Sequence, residues 1–156
     1  MRILGIGDYH DLGAMYLRLQ AEGHAVRVYV SDAHAHDILG GMVERVDDWR
    51  EHLAWIRAAH NDGLIICETA RHGQLQEELR RDRFQVIGGS AFGDRLECDR
   101  EFGQRVLHRV GLPTIPAVPF TDVETAVVYL RQHPQRWVVK FDDTADVVCS
   151  TFVGRS

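Results

Sequence analysis

Three cysteines, four prolines and no long apolar run are the scarcities of this 156-residue chain. Cys67, Cys98 and Cys149 lie far apart and are odd in number, which excludes a disulfide framework and suits a reducing, cytoplasmic setting. The longest apolar runs, such as 64–67, fall far short of a membrane span, and no basic segment followed by an apolar stretch opens the chain, so neither a membrane nor a signal peptide is expected. Positive charge is not in excess either. Lys and Arg total 18 against 23 Asp and Glu, a net charge of −5, so nothing draws the chain generally to nucleic acid or anionic lipid. What is present is ordinary for a globular protein: 45% hydrophobic and 26% charged residues. That length suits about one domain, burying roughly 70% of its unfolded surface.

Short apolar runs alternate with amphipathic stretches. Residues 3–6, 25–30, 64–67 and 85–87 read as buried strands, with a shorter one at 42–46. Leu12, Tyr16 and Leu19 recur at helical spacing up to Gly23, a natural helix stop. Asp48 and Glu51 form a capping pair for a helix presenting Trp49, Leu53, Ile56 and Ala59, and a charged helix carries Leu75 and Leu79. This order predicts an α/β fold: a Rossmann-like parallel sheet with helices on both faces.

Beyond Gly88-Gly89-Ser90 the pattern changes. Ser90 can cap a short helix, and Phe102, Val106, Leu107 and Val110 form the apolar side of another that Gly111 ends. Three prolines within 112–120 exclude a helix there. Thr121 and Glu124 read as a capping box for a helix with Val123, Ala126, Val127 and Leu130 on one face. The final runs, 137–141 and 147–153, can pair as a hairpin around an acidic loop. The expected organisation is a domain over 1–112, a proline-rich linker over 113–121 and the start of a second module over 122–156.

Ligands of open parallel sheets sit beyond the strand C-termini, so the loops after Ile6, Val30, Cys67 and Ile87 line the expected cleft. Gly5 and Gly7 close the first strand, where glycines admit backbone amides to a phosphate or serve a tight turn. His10 takes the third glycine position of the dinucleotide fingerprint, which argues against NAD. Glu68 enters the same cleft, either as a ligand-binding carboxylate or as a solvated loop residue. Cys67 reads as a small core residue rather than a nucleophile. Asp32, His34 and His36 resemble the first metal motif of amidohydrolases, because alternate residues of an extended segment share a side. No later strand end supplies the remaining ligands, so a polar, metal-free loop is the expectation.

The most specific pattern comes last. Val86-Ile87-Gly88-Gly89-Ser90 is followed by Leu96-Glu97-Cys98-Asp99-Arg100-Glu101-Phe102, then by Gly111-Leu112-Pro113-Thr114-Ile115-Pro116 and by Val138-Val139-Lys140-Phe141-Asp142. With the opening Met1-Arg2-Ile3-Leu4-Gly5-Ile6-Gly7, these runs resemble, in order and spacing, the N-terminal part of the phosphoribosylamine–glycine ligase family, ATP-grasp enzymes of purine synthesis. The resemblance implies a pre-ATP-grasp domain followed by a truncated ATP-grasp module. The parent activity would be ATP-dependent carboxylate–amine ligation through an acyl phosphate, with ATP and magnesium as cofactors. Arg100 and Lys140 would then hold ATP phosphates, and Gly5, Gly7, Glu68 and Ser90 would line the cleft for a small-molecule acceptor. Asp142, Asp143 and Asp146 stand where the family's glycine-rich flap would follow, and the magnesium-binding carboxylates have no counterpart, so the chain alone is expected to bind ATP weakly and not to catalyse. Its implied partner is the missing C-terminal ATP-grasp part. Two alternatives stay open: a non-catalytic module binding a phosphorylated ligand or partner, and a small metal hydrolase built on His34 and His36.

Overall fold

The computed structural model describes residues 1–141 and 151–154. They fall into two compact units, Met1–Asp94 and Arg95–Ser156. In the first unit, five strands form a sheet: β1 (Arg2–Gly7), β2 (Ala25–Val30), β3 (Glu44–Arg45), β4 (Gly63–Cys67) and β5 (Val86–Ile87). Their spatial order is β3-β2-β1-β4-β5, and every pairing is parallel. β1 is central, with Ile3 opposite both Val26 and Leu64.

Strand alternation splits the core into two halves. Leu4, Ile6, Ile65 and Cys67 point to one face, where Trp49, Ile56, Leu79 and Phe84 cover them. Ile3, Val26, Val28 and Ile66 point to the other and meet Tyr16 and Val43. Tyr16 belongs to α1 (Gly13–Ala21), whereas Ile56 lies on α2 (Leu53–Arg57) and Leu79 on α3 (Gly73–Arg81). The sheet therefore carries helices on both faces, as expected. Glycine ends α1 as expected: Gly23 follows it at φ +87°, a left-handed position that suits glycine.

The continuous helix expected after Asp48 is not formed. Asp48 accepts the amide of Arg50, two residues on, and winds the entry into a 3₁₀ turn, Trp49–His52, before α2. A second 3₁₀ turn, His60–Asp62, leads directly into β4.

The second unit contains α5 (Arg100–Arg109), α6 (Val123–Gln132) and an antiparallel pair, β6 (Val138–Lys140) with β7 (Thr151–Val153). Between the units, α4 (Ala91–Cys98) spans the division. The pairing of β6 with β7 joins the two runs expected to pair, with Lys140 opposite Thr151. One cap moves by a residue: Asp122, rather than Thr121, accepts the Thr125 amide at 2.7 Å and starts α6. Asp122 has the extended backbone of a cap, and its carboxylate is a stronger acceptor than a hydroxyl. Segment 111–120 is exposed and contains neither helix nor strand. Asp142, Asp143, Asp146 and Cys149 lie outside the described residues.

Candidate functional site

The sheet order reverses its direction of growth between β1 and β4. Chain progress runs outward from β1 to β3 on one side, then crosses to β4 and β5 on the other. At such a switch point the loops leaving the two strands diverge and open a crevice at their C-terminal ends. The β1–α1 loop and the residues after β4 meet there.

Glu68 organises this corner. Its Oε1 accepts the Tyr16 hydroxyl at 2.5 Å and the His10 Nδ1–H at 2.9 Å, and its Oε2 accepts the Leu12 amide at 2.8 Å. The side chains of His10 and Glu68 are 0% and 3% exposed. Burial alone would raise the Glu68 pKa, but the hydrogen bonds from His10, Tyr16 and Leu12 outweigh it and hold the carboxyl below its usual range. Burial, reinforced by the bond to Glu68, drives the Tyr16 phenol far up, so it stays a donor. The other ring nitrogen of His10, Nε2, is buried and has no hydrogen-bond partner among the described residues.

The two glycines fit around this cluster. A Cβ on Gly5 would stand 2.5 Å from Tyr16 Cζ, so the missing side chain makes room for the phenol ring under β1. A Cβ on Gly7 would stand 3.2 Å from the Glu68 carboxyl carbon. His10 has φ +60°, so the third fingerprint position keeps the left-handed backbone that glycine favours while carrying an imidazole. Sequence reasoning took Tyr16 as one apolar helix position and His10 as a missing glycine. The usable signal was a polar aromatic at a core position opposite a strand glycine.

The neighbouring loops are acidic. Asp8 receives the Ser31 hydroxyl, and its amide donates to Thr69 Oγ1 at 3.0 Å. Asp32 accepts the His34 amide at 2.7 Å and its imidazole Nδ1–H at 3.2 Å. That amide, with the Tyr9 hydroxyl, lowers the Asp32 pKa despite partial desolvation. The segment is thus a 3₁₀ turn, Ala33–Ala35, capped by Asp32, and not the extended run that would align His34 with His36. His34 is 98% exposed, and the His36 carbonyl is bound by Arg45. Among the described residues, no group of three His, Cys, Asp or Glu is placed to hold a metal ion.

The other expected residues are placed as follows. Ser90 Oγ accepts the Gly93 amide at 3.1 Å and caps α4, as expected. Cys67 is buried beneath the corner, and desolvation pushes its thiol up to about 11, with Glu68 adding and Arg80 opposing. It is a core thiol, not an activated nucleophile. Arg100 opens α5 and Lys140 ends β6; both are exposed and both belong to the second unit. Lys140 is the chain's single lysine.

No family model matches the sequence. Comparison with curated proteins does find relatives: phosphoribosylamine–glycine ligase from Yersinia pestis is 28% identical over 150 residues, covering 93% of this chain and 35% of the relative. The same ligase from Allochromatium vinosum is 41% identical over 69 residues, which is 41% of this chain and 16% of that protein. The chain is similar, over nearly its whole length, to phosphoribosylamine–glycine ligases. It spans about a third of the length of these relatives. Among solved structures, N5-carboxyaminoimidazole ribonucleotide synthetase from Thermotoga maritima superposes with a TM-score of 0.62 at 16% identity, covering 98% of this chain and 41% of that one. The synthetase from Staphylococcus aureus, solved with ADP, gives 0.59 at 16% identity over 92% of this chain and 39% of that one. These likenesses show a shared α/β fold. Among the described residues, no helix is long and apolar enough to cross a membrane.

Proposed function

We propose that this chain is the N-terminal part of an ATP-dependent carboxylate–amine ligase of ATP-grasp lineage. Its Rossmann-like layer would form one wall of the acceptor cleft at the β1/β4 switch point. The observation that carries this reading is the match running through 93% of the chain to ligases roughly three times its length. Residues 1–112 would form the pre-ATP-grasp domain, 113–121 the linker and 122–156 the first helix and strands of the nucleotide-binding module. Gly5, Gly7 and Ser90 would border the acceptor, and Glu68 would act on it through the loop geometry it fixes with His10, Tyr16 and Leu12. Bound ATP would supply the phosphoryl group that activates a carboxylate. Arg100 and Lys140 are two exposed cations suited to phosphate oxygens. The described residues offer no matching carboxylate set for magnesium.

A nucleotide cleft with one wall binds poorly, because phosphate charge needs converging amides and a cation to offset it. Calorimetric titration of the chain with Mg-ATP is therefore expected to give a dissociation constant on the order of millimolar, about −4 kcal/mol. Affinity near micromolar, lost in Lys140→Ala, would show a complete nucleotide site within these residues and overturn the reading of the chain as an inactive part.

A further inference from the structure

At the edge of the sheet opposite the switch point, where β4 begins, a surface recess of about 240 Å³ opens between α2 and the end of α3. Ile56 and Phe84 form its apolar base, and Arg57, His60, Arg83 and Gln85 stand around it. No Asp or Glu lines it. The basic groups are poorly engaged by the protein itself. The Arg57 guanidinium lies 4.3 Å from the Phe84 ring centroid and reaches the Asp82 carbonyl only at 3.4 Å. The side chains of Arg83 and His60 make no hydrogen bond or ion pair among the described residues, and both are exposed.

The bland role for basic residues at this edge is to offset the carbonyl ends of helices that terminate there. Arg57 does this in part. Arg83 and His60 do not, and both hold left-handed backbone, at φ +65° and +51°, where glycine would be less strained. Two guanidiniums and an imidazole around a recess free of carboxylates match the charge and donor demand of a dianion. The fork geometry of arginine favours phosphate in particular.

We propose that this recess binds the phosphate group of a small phosphorylated metabolite, at a site separate from the acceptor cleft. The site uses Arg57 and Arg83 as its main donors and His60 as a third. The inference does not depend on the ligase reading, because it rests on residues at the other end of the sheet.

Two-dimensional ¹H–¹⁵N NMR of the full chain tests it. Inorganic phosphate and glycerol 3-phosphate are titrated separately, with sodium chloride at matched ionic strength as the control. Saturable shifts are expected in the amides of residues 57–63 and 82–85, half-complete at about millimolar phosphate. A tighter response to glycerol 3-phosphate than to inorganic phosphate would identify a monoester as the ligand; equal responses would identify the phosphate group alone. Arg83→Gly removes the guanidinium while relieving the left-handed backbone, so the spectrum should stay folded and binding should weaken at least about fivefold. Arg18→Ala, on the exposed side of α1, should change nothing. Shifts that fail to saturate, that chloride reproduces, that map outside this recess, or that persist unchanged in Arg83→Gly would overturn the proposal.

Discussion

Glu68 is buried, ionised and surrounded by three donors from the β1–α1 region, and one glycine makes this possible. Gly5 leaves the space into which the Tyr16 ring fits, and that ring delivers the hydroxyl to Glu68. A methyl group at position 5 would overlap the phenol, and a close-packed interior has no slack to absorb it. Gly5→Ala should therefore destabilise the chain by about 1–3 kcal/mol, read by urea unfolding. Tyr16→Leu alone should also be destabilising, since it removes a donor from a buried carboxylate. The double variant should cost less than the sum of the two, because the shorter side chain clears the added methyl. Simple additivity would mean that Gly5 is not there to house the ring.

Helix starts were legible in part. A cap is a local contract between one side chain and an amide two or three residues on, so the Ser90 cap was expected. The α6 cap sits one residue from its expected place, and the Asp99 cap was not singled out. Ser90 caps α4, and Asp99 caps α5 by accepting the Phe102 amide at 2.8 Å. Asp122 does the same for α6, with its pKa lowered chiefly by the Thr125 backbone amide. Helix α6 contains no buried residue and has little packing to fall back on, so its cap should matter. Asp122→Ala is expected to lower the stability of the second unit and to speed amide exchange in the first turn of α6, whereas Thr121→Ala should do neither. Equal effects at the two positions would return the cap to Thr121.

At the scale of the molecule, the two units differ in how they bury apolar surface. Sixteen hydrophobic residues are buried among the described positions, and all of them lie within Met1–Asp94. α5 and α6 contain no buried residue, and Val123, Val128, Val138, Phe152 and Val153 are each more than half exposed. A two-stranded pair with an uncovered helix is marginal in water. Native-state hydrogen exchange should therefore show β1 and β4 protected to the level of global unfolding, with α6 and β6 exchanging at least about a hundredfold faster. Uniform protection across both units would contradict this division.

The strands, the order of elements and the likeness to the ligases were readable from the chain itself. Each rests on near neighbours: alternation of Ile, Leu and Val, glycines after helices, caps beside amides and motifs in fixed succession. The Glu68 cluster was not readable, because its partners are separated by more than fifty residues and meet only when β1 and β4 pair in parallel. Sequence distance carries no sign of which side chain a missing Cβ admits. The Asp32–His36 segment departs for a local reason: its spacing fits an extended metal motif, but Asp32 accepts the His34 amide two residues on and winds the segment into a turn. The recess at the opposite edge was also decided by tertiary structure alone, since Arg57, His60 and Arg83 become neighbours only after α2 and α3 pack on one face of the sheet. Local chemistry therefore determined which elements form. Long-range packing decided which polar groups are spent inside the protein and which stand open to a ligand, because that depends on distances the linear order does not contain.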